Sequence, residues 1–374
     1  MKRLLYIALN NAFGNKSSSD GVSLKIFGQC KALMENGWDV WLLAYKDEDI
    51  VLYNINKEEF KEISNSKKKI RRIRIFDESE RLVSQLQFKT VYIRYPYTDV
   101  WFLLMLRQLK KNVNSIYLEL PTYPIERWGL QYGVGKFVIS RLDAVFGRFL
   151  RNYVTQFRIM GSNQDEIYGV PAVNISNGID CKEIQKKTLE GADDSFVIIT
   201  VSRMNHYHGY DRLIEGLNEY YKNSNLDRKA RVIMIGEGPM KDEWKRLTFE
   251  RNMEEYVEFV GIKSKDELLT YFNQAHIAIG SLGLHRVGLF EISTLKSKEY
   301  CARGIPFAGS NSEIGFSEDF SYLIKLIPND SSVDIQYLID SYERIKRQDP
   351  NYINNMRSYA EETLSWKNQM LIDS

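Results

Sequence analysis

The chain has 374 residues, 44% of them hydrophobic and 27% charged, and 51 basic against 49 acidic side chains leave a formal charge of +2. That composition excludes a mainly disordered or fibrous protein, and the length suggests two domains of ordinary size. Three scattered cysteines, Cys30, Cys181 and Cys301, carry no CxxC spacing, which argues against a disulfide framework or a cysteine zinc site and fits a reducing, cytoplasmic setting.

Met1-Lys2-Arg3 followed by Leu4–Leu9 starts like a signal peptide, but polar Asn10-Asn11 follows without a cleavage pattern, so the stretch reads as a buried first strand. Further strands are expected at Val40–Ala44, Arg72–Phe76, Thr90–Arg94 and Ser115–Leu120, with a helix over Ser23–Asn36 stopped by Gly37. Asp47-Glu48-Asp49 reads as a surface loop rather than a metal motif. No apolar run approaches the roughly 18 residues of a membrane-spanning helix.

A turn-forming Asn177-Gly178-Ile179-Asp180 marks a break, after which a second series begins. It runs Phe196–Val201 (strand), Asp211–Tyr221 (helix), Ala230–Ile235 (strand), Met240–Arg251 (helix), Val257–Val260 (strand), Ser264–Gln274 (helix) and Ile277–Ile279 (strand). Strands alternating with helices imply parallel sheets covered on both faces. The expected architecture is therefore α/β, with two Rossmann-like domains, residues 1–175 and 176–351. A final helical segment, about 352–374, is expected to pack on the first domain.

Near-neutrality hides an asymmetry. Basic residues outnumber acidic ones 26 to 19 over residues 1–180 and are outnumbered 25 to 30 beyond. Two stretches make the first half basic: Lys67–Arg74, and Arg127–Arg158, where Arg127, Lys136, Arg141, Arg148, Arg151 and Arg158 meet the single acid Asp143 amid Trp128, Tyr132, Phe137, Phe146, Phe149 and Tyr153. Such a face suits an anionic membrane surface, and equally a solvated helix covering a core. With a moderate pI and no recognition motif, nucleic acid is not an expected partner.

The first strand lacks a G-x-G-x-x-G loop, and no P-loop, HExxH or GxSxG is present, which speaks against a dinucleotide oxidoreductase, a nucleotide hydrolase of that type, a zinc protease or a serine hydrolase. Chemistry-bearing residues concentrate in the second half. Thr200-Val201-Ser202-Arg203 ends a strand and leads through His206, His208 and Gly209 into a helix, placing a cation and backbone amides where a diphosphate could be held. Gly236-Glu237-Gly238-Pro239 also follows a strand. Glu291 and Glu299, eight residues apart, bracket Ser293-Thr294-Leu295-Lys296 ahead of Gly304 and Pro306. On one helix that spacing separates the carboxylates by about 12 Å, too far for a glycosidase pair but suited to different parts of one elongated ligand if Glu291 precedes the helix.

In this order the motifs resemble the GT-B glycosyltransferases, in particular the retaining, GT4-type group 1 family of bacterial polysaccharide assembly. The resemblance rests on S-R with Gly before a helix, G-x-G-P, V-x-F-x-G at Val257–Gly261, E-x7-E, A-x-G-x-P and the Ser176–Asp180 connector. It covers about residues 175–310 well and the first half loosely, through Gly21 and Gly37-Trp38-Asp39-Val40. It implies two domains facing each other across a cleft and a nucleoside diphosphate sugar as donor. The sugar would pass with retention to a hydroxyl of a glycan, one carried on a lipid, in capsule or other cell-surface polysaccharide assembly. No metal or other cofactor is implied, and the location is cytoplasmic, peripheral on the inner face of the membrane. By resemblance Glu291 contacts the sugar and Glu299 the ribose, Arg203 neutralises the diphosphate, and backbone around Ser293, Thr294 and Leu295, with Gly209, Gly236 and Gly238, approaches phosphates and sugar. Two positions depart from the family. His208 stands where a lysine is usual, leaving Lys296 or Arg286 as replacement cation, and Glu119 is the nearest polar residue where the first domain usually carries a histidine. A sugar-nucleotide epimerase of the same fold, or a non-catalytic nucleotide-sugar-binding subunit, are the alternatives these departures leave.

Overall fold

The computed structural model describes residues 2–13, 21–65, 71–121, 134–161, 164–188, 195–223, 226 and 228–373. The chain divides into two compact units, Met1–Gly178 with Trp366–Ser374, and Ile179–Ser365.

The first unit is built on β1 (Lys2–Asn11), α1 (Gly21–Glu35), β2 (Trp38–Lys46), β3 (Asp49–Asn54), β4 (Glu59–Asn65), α2 (Arg71–Leu86), β5 (Thr90–Arg94), α3 (Val100–Leu109), β6 (Ser115–Leu120), α4 (Val134–Phe146), β7 (Gln156–Met160), β8 (Glu166–Ile167) and β9 (Val170–Ile175). Its sheet runs β4-β3-β2-β1-β5-β6-β7-β9-β8. The centre, from β2 through β9, is parallel, while β3 and β4 add an antiparallel edge. All five residues of β5 are buried, as a central strand covered on both faces requires.

Asp47-Glu48 forms the two-residue turn between β2 and β3, since Lys46 pairs with Asp49. Asp47 takes φ +52° and is held by Asn11, whose Oδ1 accepts from the Asp47 amide at 3.0 Å. One strand expectation fails: Arg72–Phe76 is the first part of α2. Its Arg-Ile-Arg-Ile alternation imitates a strand, but Ile75, Phe76, Ser79, Leu82 and Val83 bury one helical face. Lys67, Lys68, Lys69, Arg127, Trp128 and Tyr132 lie outside the described residues.

The second unit contains β10 (Ser195–Val201), α5 (Asp211–Tyr221), β11 (Lys229–Ile235), α6 (Lys241–Glu250), β12 (Val257–Gly261), α7 (Lys265–Gln274), β13 (Ile277–Ile279), β14 (Glu291–Ile292), α8 (Leu295–Arg303), β15 (Phe307–Gly309), β16 (Ser312–Glu313), β17 (Leu323–Lys325), α9 (Ile335–Gln348) and α10 (Tyr352–Glu362). Its parallel sheet runs β12-β11-β10-β13-β15-β17, and β14 pairs with β16 apart from it. Phe196–Ile199, Val232–Ile235 and Ile277–Ile279 form the core with Tyr300, Leu213 and Leu217. Ser264 caps α7 in a reciprocal capping box with Glu267.

The closing segment is two helices rather than one. The helix α10 belongs to the second unit, and α11 (Trp366–Gln369) to the first. Within the first unit Trp366 packs so closely on Gly28 and Gly178 that a Cβ at either would collide with the indole. Among the described residues no helix is long and apolar enough to cross a membrane.

Candidate active site

Ligands of open α/β sheets bind beyond the carboxyl ends of the strands. In the second unit the loops at the ends of β10, β11 and β13 are tied backbone to backbone. Met204 N donates to Glu237 O and Met240 N to Met204 O, both at 3.0 Å, and Leu282 N donates to His208 O at 2.8 Å. The glycines make these approaches feasible. A Cβ on Gly238 would stand 2.5 Å from Met204 O. Gly209, at φ +63°, would place one 2.6 Å from Gly283 N, and Gly236, at φ +123°, would drive one into Ser202 O.

On this platform the candidate cations separate. Arg203, just past β10, is exposed. Arg286 is committed elsewhere. It holds Asp211 at 2.7 and 3.0 Å and Asp330 at 2.7 Å, which raise its already high pKa, and His285 Nε2 joins Asp330 at 3.1 Å. That network fastens the loop after β13 to α5, so Arg286 is a clamp rather than a replacement phosphate ligand. His208 is buried, its ring 5.6 Å from that of Tyr210. Its Nδ1 accepts the Asn205 amide proton at 3.1 Å. Burial and then the charge of Lys296 push its pKa down to about 2. It is therefore a neutral imidazole with the proton on Nε2, a one-hydrogen donor and not a cation.

Lys296, in the first turn of α8, is different. Its stem is half-buried, its Nζ is buried without a hydrogen-bond partner, and it lies 5.9 Å from the Tyr210 ring centroid. Burial lowers its pKa to about 7, with Glu313 opposing. Thr200 Oγ1, Ser202 Oγ and the Tyr210 hydroxyl lie buried against one another at the end of β10. A buried ammonium left unsatisfied, as Lys296 is, marks a site for water or ligand.

The amino end of α8 is organised by Glu313. Its carboxylate accepts from Ser297 Oγ (2.7 Å), Thr294 Oγ1 (3.0 Å) and the Thr294 amide (3.3 Å), and it faces Lys298 Nζ at 3.6 Å. Thr294 caps the helix through Ser297 N at 3.3 Å. The Leu295 and Lys296 amides are first-turn donors with no intrahelical acceptor. Ser293 and Leu295 are half-buried.

Glu291 is exposed on β14, ahead of the helix rather than on it. Glu299 is half-buried and bound by Arg303 at 2.7 and 3.0 Å, and that guanidinium also donates to Gln185 O at 3.1 Å. Any ribose contact by Glu299 has to share it with Arg303.

In the first unit Glu119 does not stand ready for substrate. It is fully buried on β6, paired with Arg94 at 2.5 Å and accepting from Tyr92 at 3.1 Å and Tyr6 at 3.4 Å. The strand is covered on both faces, so Leu118-Glu119-Leu120 points its carboxylate into the core. Gly21 opens α1 on the surface, and a Cβ there would meet nothing within 4 Å, so no close approach demands glycine.

Sequence reasoning missed Glu313, Thr200, Ser202 and Tyr210. The carboxylate gave no local signal, being brought to α8 by the β14–β16 pairing, whereas the hydroxyls at the end of β10 were legible as strand-end residues. Among the described residues no group of three or more His, Cys, Asp or Glu side chains could hold a metal ion.

Two parallel-sheet units with this strand-end site define a GT-B architecture, and residues 182–321 match the family described as glycosyl transferases group 1. The chain thus carries a glycosyl transferase domain and is a transferase enzyme. The fold is similar to that of a glycosyltransferase from Rickettsia africae (TM-score 0.67, 14% identity, covering 99% of this chain and 96% of that one). It is also similar to a sucrose-phosphate synthase from Thermosynechococcus elongatus (0.63, 14%, 99% and 96%). The catalytic domain of starch synthase IV from Arabidopsis thaliana, solved with ADP and acarbose, is a third such structure (0.63, 10%, 99% and 97%). No curated protein sequence matches the chain.

Proposed function

We propose that this transferase is of the retaining, GT4 type and moves a sugar from a nucleoside diphosphate sugar to a hydroxyl of a lipid-linked glycan acceptor, in the assembly of a cell-surface polysaccharide. The observation that carries the donor assignment is the buried, unpartnered Lys296 ammonium in the first turn of α8, 5.9 Å from the Tyr210 ring centroid. An ammonium desolvated without a counter-ion costs stability, and a diphosphate entering beside it supplies the missing charge.

Lys296 and Arg203 take the departing diphosphate, the first-turn amides of α8 add donors, and neutral His208 contributes one Nε2–H bond. Glu291 orients the sugar, and Glu299, released in part from Arg303, accepts from the ribose. As the anomeric C–O bond breaks, its electron pair goes to the diphosphate. The diphosphate oxygen then takes the acceptor proton while the acceptor oxygen bonds to the same face of the sugar, which gives retention. With Glu119 locked to Arg94, the leaving group itself serves as base.

The test is turnover of a panel of UDP-, GDP-, ADP- and dTDP-sugars with glycan-lipid acceptors, reading diphosphate release and product configuration by NMR. Release with an axial donor giving an axial product supports the proposal. Inverted product refutes retention. Donor binding without turnover supports a binding subunit instead, and release of an isomerised sugar without acceptor supports an epimerase.

A further inference from the structure

Glu313 is an acid where burial argues against one. It is buried on β16, and its carboxylate accepts from Ser297 Oγ at 2.7 Å, Thr294 Oγ1 at 3.0 Å, and the Thr294 amide and Asn311 Nδ2 at 3.3 Å each. Lys298 Nζ stands 3.6 Å away, donates to Ile314 O and lies 4.5 Å over the Phe316 ring. A buried carboxylate costs stability unless charge and donors surround it, and replacing such a pair by apolar side chains is often neutral. Capping does not call for it either, because the Thr294 side chain already accepts from Ser297 N.

What the carboxylate joins is informative. Strands β14 and β16 pair through Glu291 with Ser312 and Ile292 with Glu313, Ser312 N donating to Phe290 O at 2.8 Å and Ile314 N to Ile292 O at 2.9 Å. Glu313 carries that pairing on to Thr294 and Ser297, which flank Leu295 and Lys296. One side chain therefore ties the strand bearing Glu291 to the first turn bearing Lys296.

Its charge reaches Lys296 as well. Burial lowers the lysine pKa and Glu313 opposes that. His208 and Tyr210 face the ammonium from the loop after β10, and burial keeps both neutral. On the lysine's own helix, Lys298 is turned to Glu313 and Glu299 to Arg303. That leaves Glu313 as the charge favouring the ammonium.

We propose that Glu313 is a positioning residue for sugar transfer, fixing Glu291 and Lys296 relative to one another so that both meet one donor molecule. Its charge supports the Lys296 ammonium in the same place. The inference rests on the donor assignment made above.

The test compares wild type with Glu313→Gln and Glu313→Asp. The Lys296 side-chain signal, followed by NMR against pH and assigned by its absence in Lys296→Met, should titrate near 7 in wild type. In Glu313→Gln its midpoint should fall by about one pH unit, as loss of one nearby opposite charge requires. Affinity for UDP, GDP, ADP or dTDP, whichever binds, should then drop about tenfold at pH 8 and stay within threefold at pH 5.5, where lysine is charged in both proteins. Glu313→Asp keeps the charge but shortens the reach. It should hold the wild-type midpoint and nucleotide affinity while kcat falls tenfold or more, the scale of a displacement of about 1 Å. If Glu313→Gln does not fold, Glu313→Gln with Lys298→Met removes both charges of the pair and should show the same lowered midpoint. An unmoved midpoint, or wild-type kcat in Glu313→Asp, overturns the proposal. So does a lower melting temperature with turnover per folded molecule unchanged. Wild type that transfers no sugar while the midpoint still follows Glu313 defeats the transferase reading alone; full turnover with an unmoved midpoint defeats this one alone.

Discussion

Replacing Lys296 by methionine should make the protein more stable and less able to bind its donor. The stem keeps its packing and the unpartnered ammonium goes. An amine with an ordinary value of 10.5 held at about 7 corresponds, at 1.36 kcal/mol per pH unit, to about 5 kcal/mol between its charged and neutral forms. At pH 7 half the folded molecules are already neutral, so about 4 kcal/mol is felt as lost stability. The half-buried stem allows relaxation, and about 2–4 kcal/mol remains. For a unit of this size that is a gain of roughly 6–12 °C in melting temperature. The sign with pH follows. The unfolded lysine binds its proton up to about pH 10.5 and the folded one only to about 7, so wild-type stability rises with pH between those values, and Lys296→Met lacks that slope. Urea melts at pH 7 and 9.5, with donor titration of both proteins, make the assay. Lower stability in Lys296→Met, or an unchanged donor affinity, would refute the reasoning. A loss of tenfold or more in affinity combined with higher stability is the signature of a group kept for its ligand.

Three further outcomes follow from the site and its frame. In Lys296→Arg the alkaline limb of kcat/KM, which in wild type should fall about tenfold per pH unit above 7 as the free lysine loses its proton, should flatten to beyond pH 9, because a guanidinium stays charged. Glu119→Gln should cost the first unit about 3–5 kcal/mol by leaving Arg94 buried and unpaired, seen in thermal melts, while turnover per folded molecule holds. A selective loss of turnover would restore a chemical role to Glu119. Gly209→Ala should cost about 2–4 kcal/mol, since φ +63° and the approach of Gly283 N both oppose a Cβ, and a melt within 1 °C of wild type would contradict the geometry.

Much of the second unit is legible in its sequence. Asp211–Tyr221 and Ile277–Ile279 fall where the periodicity puts them, because the helix shows one apolar face and the strand is a short apolar run closed by Gly280. The first unit is less so. Its Arg-Ile-Arg-Ile stretch carries two periods at once, and the hairpin of β2 and β3 is joined by an Asp-Glu turn that reads only as charge. Glu119 misleads for a related reason: an acid between two leucines looks like the outward residue of a half-covered strand, whereas β6 is central and its partner Arg94 lies 25 residues away. Lys296 and His208 were visible as residues, but their division of labour was not. Which one carries charge depends on burial and on the Asn205 amide held by Nδ1, and neither is written in local sequence. Phe137, Phe146, Phe149 and Tyr153 drew attention to the basic face, yet its exposed stripe is mostly aliphatic, and Arg158 is buried, donating to Gln369 O at 2.8 Å.

The most direct measurement is a crystal structure of the chain soaked with a nucleoside diphosphate. The account predicts the terminal phosphate within about 3.5 Å of Lys296 Nζ, at the amino end of α8, with Arg203 turned toward it. A nucleotide seated away from α8, with Lys296 still buried and unpartnered, would contradict it.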